Sequence, residues 1–498
     1  MRFINFIIKE PQNKRYLLIA LAGTTVEFII FKLLYPFADF FSDSYSYIYA
    51  AQANLDINIW PIGYSKFLRI FHFITHSDTA LVGFQYFFLE LSCLYFFFTA
   101  LWFYRPGKVS RLVLFVFLFF NPLFLYISNY INSDPLFAAL SVLWFTELIW
   151  VTQRPKLYHI FTQAILLFLA FTVRHNAMYY PFIGALAFAL SRQSLWRKVG
   201  GAFLGAALII PFILFERNAA YKMYGVKQFS PMSGWQLANN ALYMYGHLQV
   251  DNSRLPTPET RELDTLAKDF YRYIIPGFDQ YLTDYVANFF IRRREAPLKG
   301  YCRHHYKVND DYAVIVGYGK ASIVFGEFGS WMIRHYPLEF ARYFLLRNTK
   351  NYFLPPLEKL KVYNLGKNEI WPIAQKWFGY SSLKTKSISL SAQGIVLFLY
   401  PPLFLLINLY FVISIFLFFF NIKKLLLRNS SISLILYLSF YLVNASFSIF
   451  ATINVFRYQF FPLLVLFSFS TIIIERISFK THNQRKIITE EKYIPQNI

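Results

Sequence analysis

The sequence has little charge for its length. Charged residues make up 15% of the 498 residues, whereas 56% are hydrophobic and 21% are aromatic. A typical soluble domain has about 25% charged residues. A water-soluble fold of this size needs fewer apolar residues for its core and more charged residues for its surface. The composition therefore excludes a disordered chain and indicates an integral membrane protein.

Cysteine is also scarce. Cys93 lies in an apolar run and Cys302 in a polar region, so we expect no disulfide framework. The first apolar run, residues 16–37, is longer than the hydrophobic region of a cleaved signal peptide. We therefore expect this run to remain as the first membrane span.

The charge that is present is mostly positive. The chain has 49 Lys and Arg residues against 27 Asp and Glu residues, a net charge of +22. Membrane proteins accumulate basic residues in their cytoplasmic loops, so this excess does not require a nucleic-acid partner. We expect contact with membrane lipids and no binding of nucleic acid.

Long apolar runs supply the fold prediction. A helix needs about 20 apolar residues to cross the hydrocarbon core. We predict an all-α polytopic membrane protein with about ten transmembrane helices, external interfacial helices and one large external segment. The predicted spans are 16–37, 79–103, 111–128, 135–151, 158–173, 175–191, 198–215, 391–420, 431–451 and 460–475.

The short loops alternate between many and few basic residues. The rich loops contain Arg105, Lys108 and Arg111, then Arg154 and Lys156, then Arg192, Arg197 and Lys198, and last Lys423, Lys424 and Arg428. The positive-inside rule places these loops and both basic termini in the cytoplasm. We expect the bacterial inner (plasma) membrane, with the active site facing the periplasm or the outside.

This topology divides the chain into four parts. They are an N-terminal membrane module (1–215) with the first external loop (38–78), a large external segment (216–390), C-terminal membrane helices (391–475) and a cytoplasmic tail (476–498). The large segment matches no P-loop, Rossmann fingerprint or G-x-S-x-G elbow. Its neighbouring His304 and His305 are expected to point apart on a helix, which is poor spacing for a metal site.

Two carboxylates are predicted at the external membrane surface. Asp43 begins a short aromatic helix after the first span, and Asp134 precedes Pro135 at the start of another span. Each suits a helix N-cap. Together they could perform acid–base chemistry or bind a divalent cation such as Mg²⁺ or Mn²⁺.

Basic residues are predicted on the same side. Lys66 belongs to an amphipathic helix expected to lie in the membrane interface, where it would contact either lipid phosphates or a substrate. Arg174 and Arg457 close short external hairpins, and the planar arginine fork suits a phosphate. The intramembrane carboxylates, in particular Glu90, favour a transporter instead.

Several local patterns occur in an order typical of one family. They are Asp43-x3-Tyr47, Pro61-x-Gly63-Tyr64, Ser133-Asp134-Pro135-Leu136-Phe137, Arg174-His175-Asn176-Ala177, Tyr336-Pro337-Leu338-Glu339-Phe340 and Arg457-Tyr458-x3-Pro462. The chain thereby resembles the GT-C type, polyprenyl-phosphate-dependent glycosyltransferases, in particular the protein mannosyltransferase and lipid A aminoarabinose transferase branch. Residues 216–330 lie outside the resemblance.

The resemblance implies transfer of a sugar from a polyprenyl-phosphate donor to a protein, lipid or glycan acceptor, with inversion. It implies catalytic roles for Asp43 and Asp134, with these two residues as the ligands of the divalent cation in the alternative role. The implied donor-phosphate ligands are Lys66, Arg174 and Arg457, and the implied substrate-binding residues are Tyr47, Tyr64, His175, Asn176 and Tyr458. The alternatives are an O-antigen polymerase or ligase and a lipid-linked sugar transporter or flippase.

Overall fold

The computed structural model describes residues 2–278, 288–306, 310–420 and 428–491, with the backbone alone for 428–433 and 478–491. The predicted basic residues Lys423 and Lys424 and the end of the predicted tail, 492–498, lie outside the described residues. Within the described part there is no β-strand, and only two isolated bridges form. The all-α prediction is confirmed.

The N-terminal half consists of helices joined by short turns. They are α1 (Phe3–Lys9), α2 (Pro11–Leu34), α3 (Ser42–Gln52), α4 (Gly63–Ile74), α5 (Asp78–Tyr104), α6 (Lys108–Phe119), α7 (Pro122–Asn129), α8 (Ser133–Gln153), α9 (Leu157–Val173), α10 (Tyr180–Leu190) and α11 (Leu195–Tyr224).

The second half continues with mostly shorter helices, apart from the 25-residue α16, and then three long ones. They are α12 (Pro231–Tyr245), α13 (Pro258–Asp269), α14 (Phe289–Arg292), α15 (Pro297–His305), α16 (Asp311–His335), α17 (Pro337–Phe340), α18 (Leu346–Phe353), α19 (Pro372–Phe378), α20 (Ala392–Leu397), α21 (Tyr400–Phe420), α22 (Arg428–Ala451) and α23 (Phe460–Glu491).

Eight helical stretches in the described residues are long and apolar enough to cross a membrane. They are Pro11–Leu34, Asp78–Tyr104, Lys108–Asn129, Ser133–Gln153, Leu195–Tyr224, Ala392–Phe420, Leu434–Ala451 and Phe456–Ile477. An integral membrane protein is therefore supported. Two predicted spans are shorter: α9 has 17 residues, and 175–191 divides into a 3₁₀ turn, His175–Tyr179, and the 11 residues of α10.

Pro181 explains the division of the second short span. A proline lacks the N–H needed inside a helix but is well suited to its first turn. Pro181 accordingly lies in the first turn of α10, and the preceding residues wind more tightly. Both short helices still contribute to the main core, through residues such as Leu167 and Ile183.

The two ends of the helix bundle differ in composition. At one end, Gly107 N donates to Glu475 Oε1 at 2.7 Å, and Arg111 Nη1 donates to Gln12 Oε1 at 2.6 Å. These residues lie at or beside the basic loops and the N-terminus, which were predicted to share the cytoplasmic side. The loops that were predicted external meet at the opposite end, described below.

Two predicted boundaries fall inside helices. Helix α11 continues past residue 215 to Tyr224, where Gly225 adopts a φ of +77°, a backbone conformation that favours glycine and ends helices. Helix α23 likewise continues past residue 475 to Glu491. An apolar run ends at the membrane surface, whereas a helix continues to the residue that stops it. The end predicted from hydropathy therefore differs from the end of the helix.

The segment that was predicted to be external contains two structurally different parts. The described residues within 231–345 build a core of their own, in which Trp235 packs edge-on against Phe325 at 4.7 Å. Helices α12 and α16 approach closely here, since a Cβ on Gly234 would lie 1.8 Å from Ser322 O. Residues 346–390 instead join the main core, through Tyr352, for example.

The predicted topology can be tested with reporter fusions. Fusions after Lys108, Arg154 and Arg197 should report the cytoplasm, and fusions after Arg254 and Lys367 should report the opposite side, because positive charge is retained inside. Paired alkaline phosphatase and green fluorescent protein reporters give opposite signals and control for expression. A cytoplasmic signal after Arg254 would contradict the external position of 231–345.

Candidate functional site

Two carboxylates and two arginines meet at one end of the bundle. Arg457, before α23, places Nη1 2.9 Å from Asp134 Oδ2 and Nη2 3.9 Å from Asp43 Oδ2. Arg174, after α9, binds the other oxygen of Asp134, Oδ1. The side chains of Arg457 and Asp134 are each only 7% exposed. The structure thus brings together four charged residues that lie far apart in sequence.

A lysine that the sequence analysis missed completes this group. Lys359 Nζ lies 2.9 Å from Asp43 Oδ2 and 4.0 Å from the centre of the Phe41 ring, and its side chain is 9% exposed. The neighbouring Glu358 places Oε2 3.7 Å from Arg457 Nε. We refer to Asp43, Asp134, Arg174, Glu358, Lys359 and Arg457 as the charge cluster.

The backbone around Lys359 is held in place from both sides. Tyr130 OH donates to Lys359 O at 2.6 Å, and Arg292 of the large segment donates to Glu358 Oε1 at 2.7 Å. Glu358 has a φ of +52°, a left-handed conformation that is rare and costly for a non-glycine residue. The surrounding contacts hold a strained residue next to a buried lysine, a combination common at functional sites.

Neither aspartate acts as a helix N-cap. Helix α8 is capped by Asn132, whose Oδ1 accepts from Ser133 N at 2.6 Å, while the Asp134 carboxylate binds the two arginines. At the start of α3, Phe41 N donates to Ser44 Oγ at 3.1 Å. The capping alternative is therefore wrong for both residues, and their charges serve the cluster.

The cluster changes the protonation of Asp43 and Lys359. Burial alone raises the pKa of Asp43, but Lys359 and Arg457 outweigh burial and hold that pKa below its usual value. Burial lowers the pKa of Lys359 to about 8, and the attraction of Asp43 offsets this only in part. At neutral pH Asp43 is ionised and Lys359 is mostly charged.

Two clefts flank the cluster. The first is lined by Phe41, Ile127, Tyr130, Asp134, Lys359, Leu360 and Arg457. The walls of the second combine Arg174, Asn176 and Tyr458 with apolar side chains such as Phe447 and Phe461. Asp134 and Arg457 belong to both walls, so the cluster can contact a molecule on either side.

Three of the predicted substrate-binding residues lie at the cluster. Tyr458 OH accepts from Arg457 Nη2 at 2.9 Å, and the Arg174 guanidinium lies 4.5 Å from the centre of the Tyr458 ring. Asn176 lines the second cleft. Tyr47 OH hydrogen-bonds Ser133 Oγ at 3.2 Å, beside Asp134 in sequence.

Three other predicted residues have different partners. Lys66 Nζ pairs with Asp56 Oδ1 at 3.2 Å, because its position on α4 faces the preceding loop. Tyr64 is fully buried and donates to Gln85 Oε1 at 2.7 Å. His175 Nε2 lies 3.3 Å from Glu216 Oε2 on α11. The structure therefore does not bring these three side chains into the charge cluster.

The surroundings of Asp43 and Asp134 do not fit a divalent cation. The oxygens that face the cluster are already in contact with Lys359, Arg174 and Arg457, and these positive charges would repel a metal ion. Among the described residues, Glu262, His304 and His305 are the group whose three metal donors lie within 4.8 Å.

Comparisons of the chain with family models, with curated proteins and with solved structures give no match. The family resemblance stated above therefore stays a prediction, and the argument for function rests on the charge cluster.

The structural role of Asp134 can be tested by removing its charge. Asp134→Asn leaves Arg174 buried without its carboxylate, and breaking such a buried pair costs about 3–5 kcal/mol. We expect a clearly lower unfolding temperature in detergent. Asp56→Asn is the control: it removes the exposed partner of Lys66 and should change stability by less than about 0.5 kcal/mol. Equal stability of the two variants would contradict the buried ion pair.

Proposed function

We propose that the protein is an integral membrane glycosyltransferase. It transfers a sugar from a polyprenyl-phosphate donor to an acceptor hydroxyl on the non-cytoplasmic face, with inversion, in a bacterial inner membrane. One observation supports this most strongly: the carboxylate of Asp43 shares a buried cluster with the cations Lys359, Arg174 and Arg457. The transfer needs a proton acceptor next to groups that stabilise a departing phosphate.

The cations are suited to the donor phosphate. Negative charge develops on the phosphate as the bond to the sugar breaks, and fixed positive groups stabilise it most when water is excluded. Lys359 and Arg457 line the first cleft, and Arg174 and Arg457 line the second. Lys359 takes the role that the resemblance gave to Lys66, whose Nζ is paired with Asp56.

Asp43 is proposed as the general base. An acceptor hydroxyl becomes a better nucleophile when a positioned carboxylate takes its proton. With Lys359 bound, the low pKa of Asp43 makes it a weak base. A donor phosphate would attract Lys359 away from Asp43, free Oδ2 for the acceptor and raise the pKa of Asp43 toward its usual value. Donor binding would thus prepare the base.

Asp134 is proposed as a positioning residue. Its two oxygens bind one arginine each, which sets the distance between Arg174 and Arg457 across the wall shared by the clefts. The apolar residues of the second cleft suit the start of a polyprenyl tail. The large external segment, which contacts the cluster through Arg292 and Glu358, is the proposed holder of the protein, lipid or glycan acceptor.

A lipid-linked sugar transporter is the second candidate. Glu90 on α5 is 3% exposed, and Tyr86 on the same helix donates to Glu27 Oε2 on α2 at 3.4 Å. Carboxylates within membrane spans are typical of transport pathways. An O-antigen polymerase or ligase would also join glycans on this face, but the structure gives no separate observation in its favour.

Asp43→Asn tests the proposed base. The change keeps the side-chain size and removes the charge, so we expect sugar transfer to fall by about a hundredfold or more, within the range typical of general-base catalysis. Donor binding should persist, because Lys359 loses its competing carboxylate. The assay uses purified protein, radiolabelled polyprenyl-phosphate sugar and acceptor lipids or peptides from the same membrane.

Asp56→Asn serves as the matched control, since it removes an exposed carboxylate outside the cluster. Near-normal transfer by Asp43→Asn would exclude Asp43 as the base. Movement of the donor across proteoliposomes without sugar transfer would favour the transporter. Extension of a lipid-linked glycan by whole repeat units would instead favour the polymerase.

Lys359 should set the alkaline limit of activity. Its pKa of about 8 means that its charge is present below that pH and is lost as the pH rises through it. We therefore expect kcat/KM for the donor, which reports the free enzyme, to fall above about pH 8. Lys359→Arg keeps the charge, because arginine titrates above about pH 12, and should move this fall to higher pH.

Neutral variants separate the two candidate lysines. Lys359→Met should weaken donor binding by about tenfold to a hundredfold, the loss expected for one charge-assisted hydrogen bond. Lys66→Met should leave donor binding nearly unchanged. The reverse result would return the phosphate role to Lys66.

A further inference from the structure

Two adjacent histidines on the large external segment share one carboxylate. His304 and His305 are the last two residues of α15, and Glu262 lies on the neighbouring helix α13. His304 Nδ1 lies 2.8 Å from Glu262 Oε1, and His305 Nε2 lies 2.8 Å from Glu262 Oε2. The sequence-based expectation that these two side chains point apart is wrong.

The convergence has a simple geometric cause. His304 uses its ring nitrogen nearer the backbone, Nδ1, whereas His305 uses the distal Nε2. Two neighbouring side chains with different effective reach can therefore meet at one point. The partner comes from another helix, so spacing within α15 alone could not reveal the group.

We propose that Glu262, His304 and His305 bind a divalent transition-metal ion of the zinc type. Their three donor atoms lie within 4.8 Å of one another. Two imidazoles and one carboxylate are a common zinc ligand set, with water in the fourth position. The proposal is independent of the proposed glycosyltransferase activity.

The donors need only small shifts to hold zinc. Zinc bonds of about 2.0–2.2 Å place tetrahedral ligands about 3.4 Å apart. The two histidine–carboxylate pairs at 2.8 Å would open slightly, and the widest pair, within 4.8 Å, would close. The His304 side chain is 71% exposed and free to turn inward. His305 is steadier, because its ring stacks on Tyr301 at 4.3 Å, and Tyr301 belongs to the core of 231–345.

The proposed ion would join two helices, because Glu262 lies on α13 and the two histidines lie on α15.

The test measures zinc binding by the full chain, purified in detergent without a polyhistidine tag and stripped with chelator. We expect one zinc ion per chain, and a Co²⁺ derivative with the strong visible absorption of tetrahedral sites. Glu262→Gln, His304→Ala and His305→Ala should each weaken zinc binding by at least about tenfold. Zinc should raise the unfolding temperature of the parent protein more than that of the variants.

His335→Ala is the matched control. His335 is an exposed histidine of the same segment that stacks on Trp331 at 4.0 Å and lies outside the group. It should bind zinc like the parent protein. His304→Ala is the deciding variant, since so exposed a side chain is not needed for folding. Equal zinc affinity of the parent protein and His304→Ala would overturn the proposal and leave Glu262 as a carboxylate shared by two imidazoles.

Discussion

The site depends on the contacts of one buried group, the guanidinium of Arg457. It meets carboxylates from three separate regions: Asp43 after the first span, Asp134 at the start of α8 and Glu358 after α18, in the second part of the large segment. A charge this deeply buried is stable only when its partners surround it. The relative positions of these three regions are therefore linked through one side chain. A shift of any one region would change the contacts of that side chain with the other two.

The cluster also joins the membrane bundle to both parts of the large segment. Glu358 binds Arg457 on one side and Arg292 on the other, and Lys359 next to it binds Asp43. The short stretch after α18 therefore contacts both the bundle and the first part of the large segment.

The sequence predicted the features that depend on local composition. Apolar runs located the helices, and the ends of those runs located Asp43, Asp134, Arg174 and Arg457, because a charge between two spans must lie at a membrane surface. The span predicted at 158–173 agrees with α9, but hydropathy could not predict that 175–191 divides, since Pro181 favours a helix start at α10. Helices α11 and α23 continue past the limits predicted at 215 and 475 for a related reason: polar residues alone do not end a helix.

The residues that the sequence missed depend on distant contacts. Lys359 follows Pro355-Pro356 in an unremarkable polar stretch, and its burial against Asp43 results from the packing of residues 346–390 onto the main core. The only local signal was a Glu-Lys pair that follows the two prolines after one intervening residue, Leu357. The convergence of His304 and His305 likewise depends on Glu262, which lies on another helix and is therefore absent from a helical wheel of α15.

The position of Arg457 near the C-terminal end has a consequence for biosynthesis. The ribosome delivers Asp43 and Asp134 to the membrane hundreds of residues before Arg457 emerges. Until the hairpin that contains Arg457 inserts, the two aspartates lack this partner. The site therefore cannot assemble before that hairpin is made, and a chain truncated before it would leave both carboxylates without this arginine.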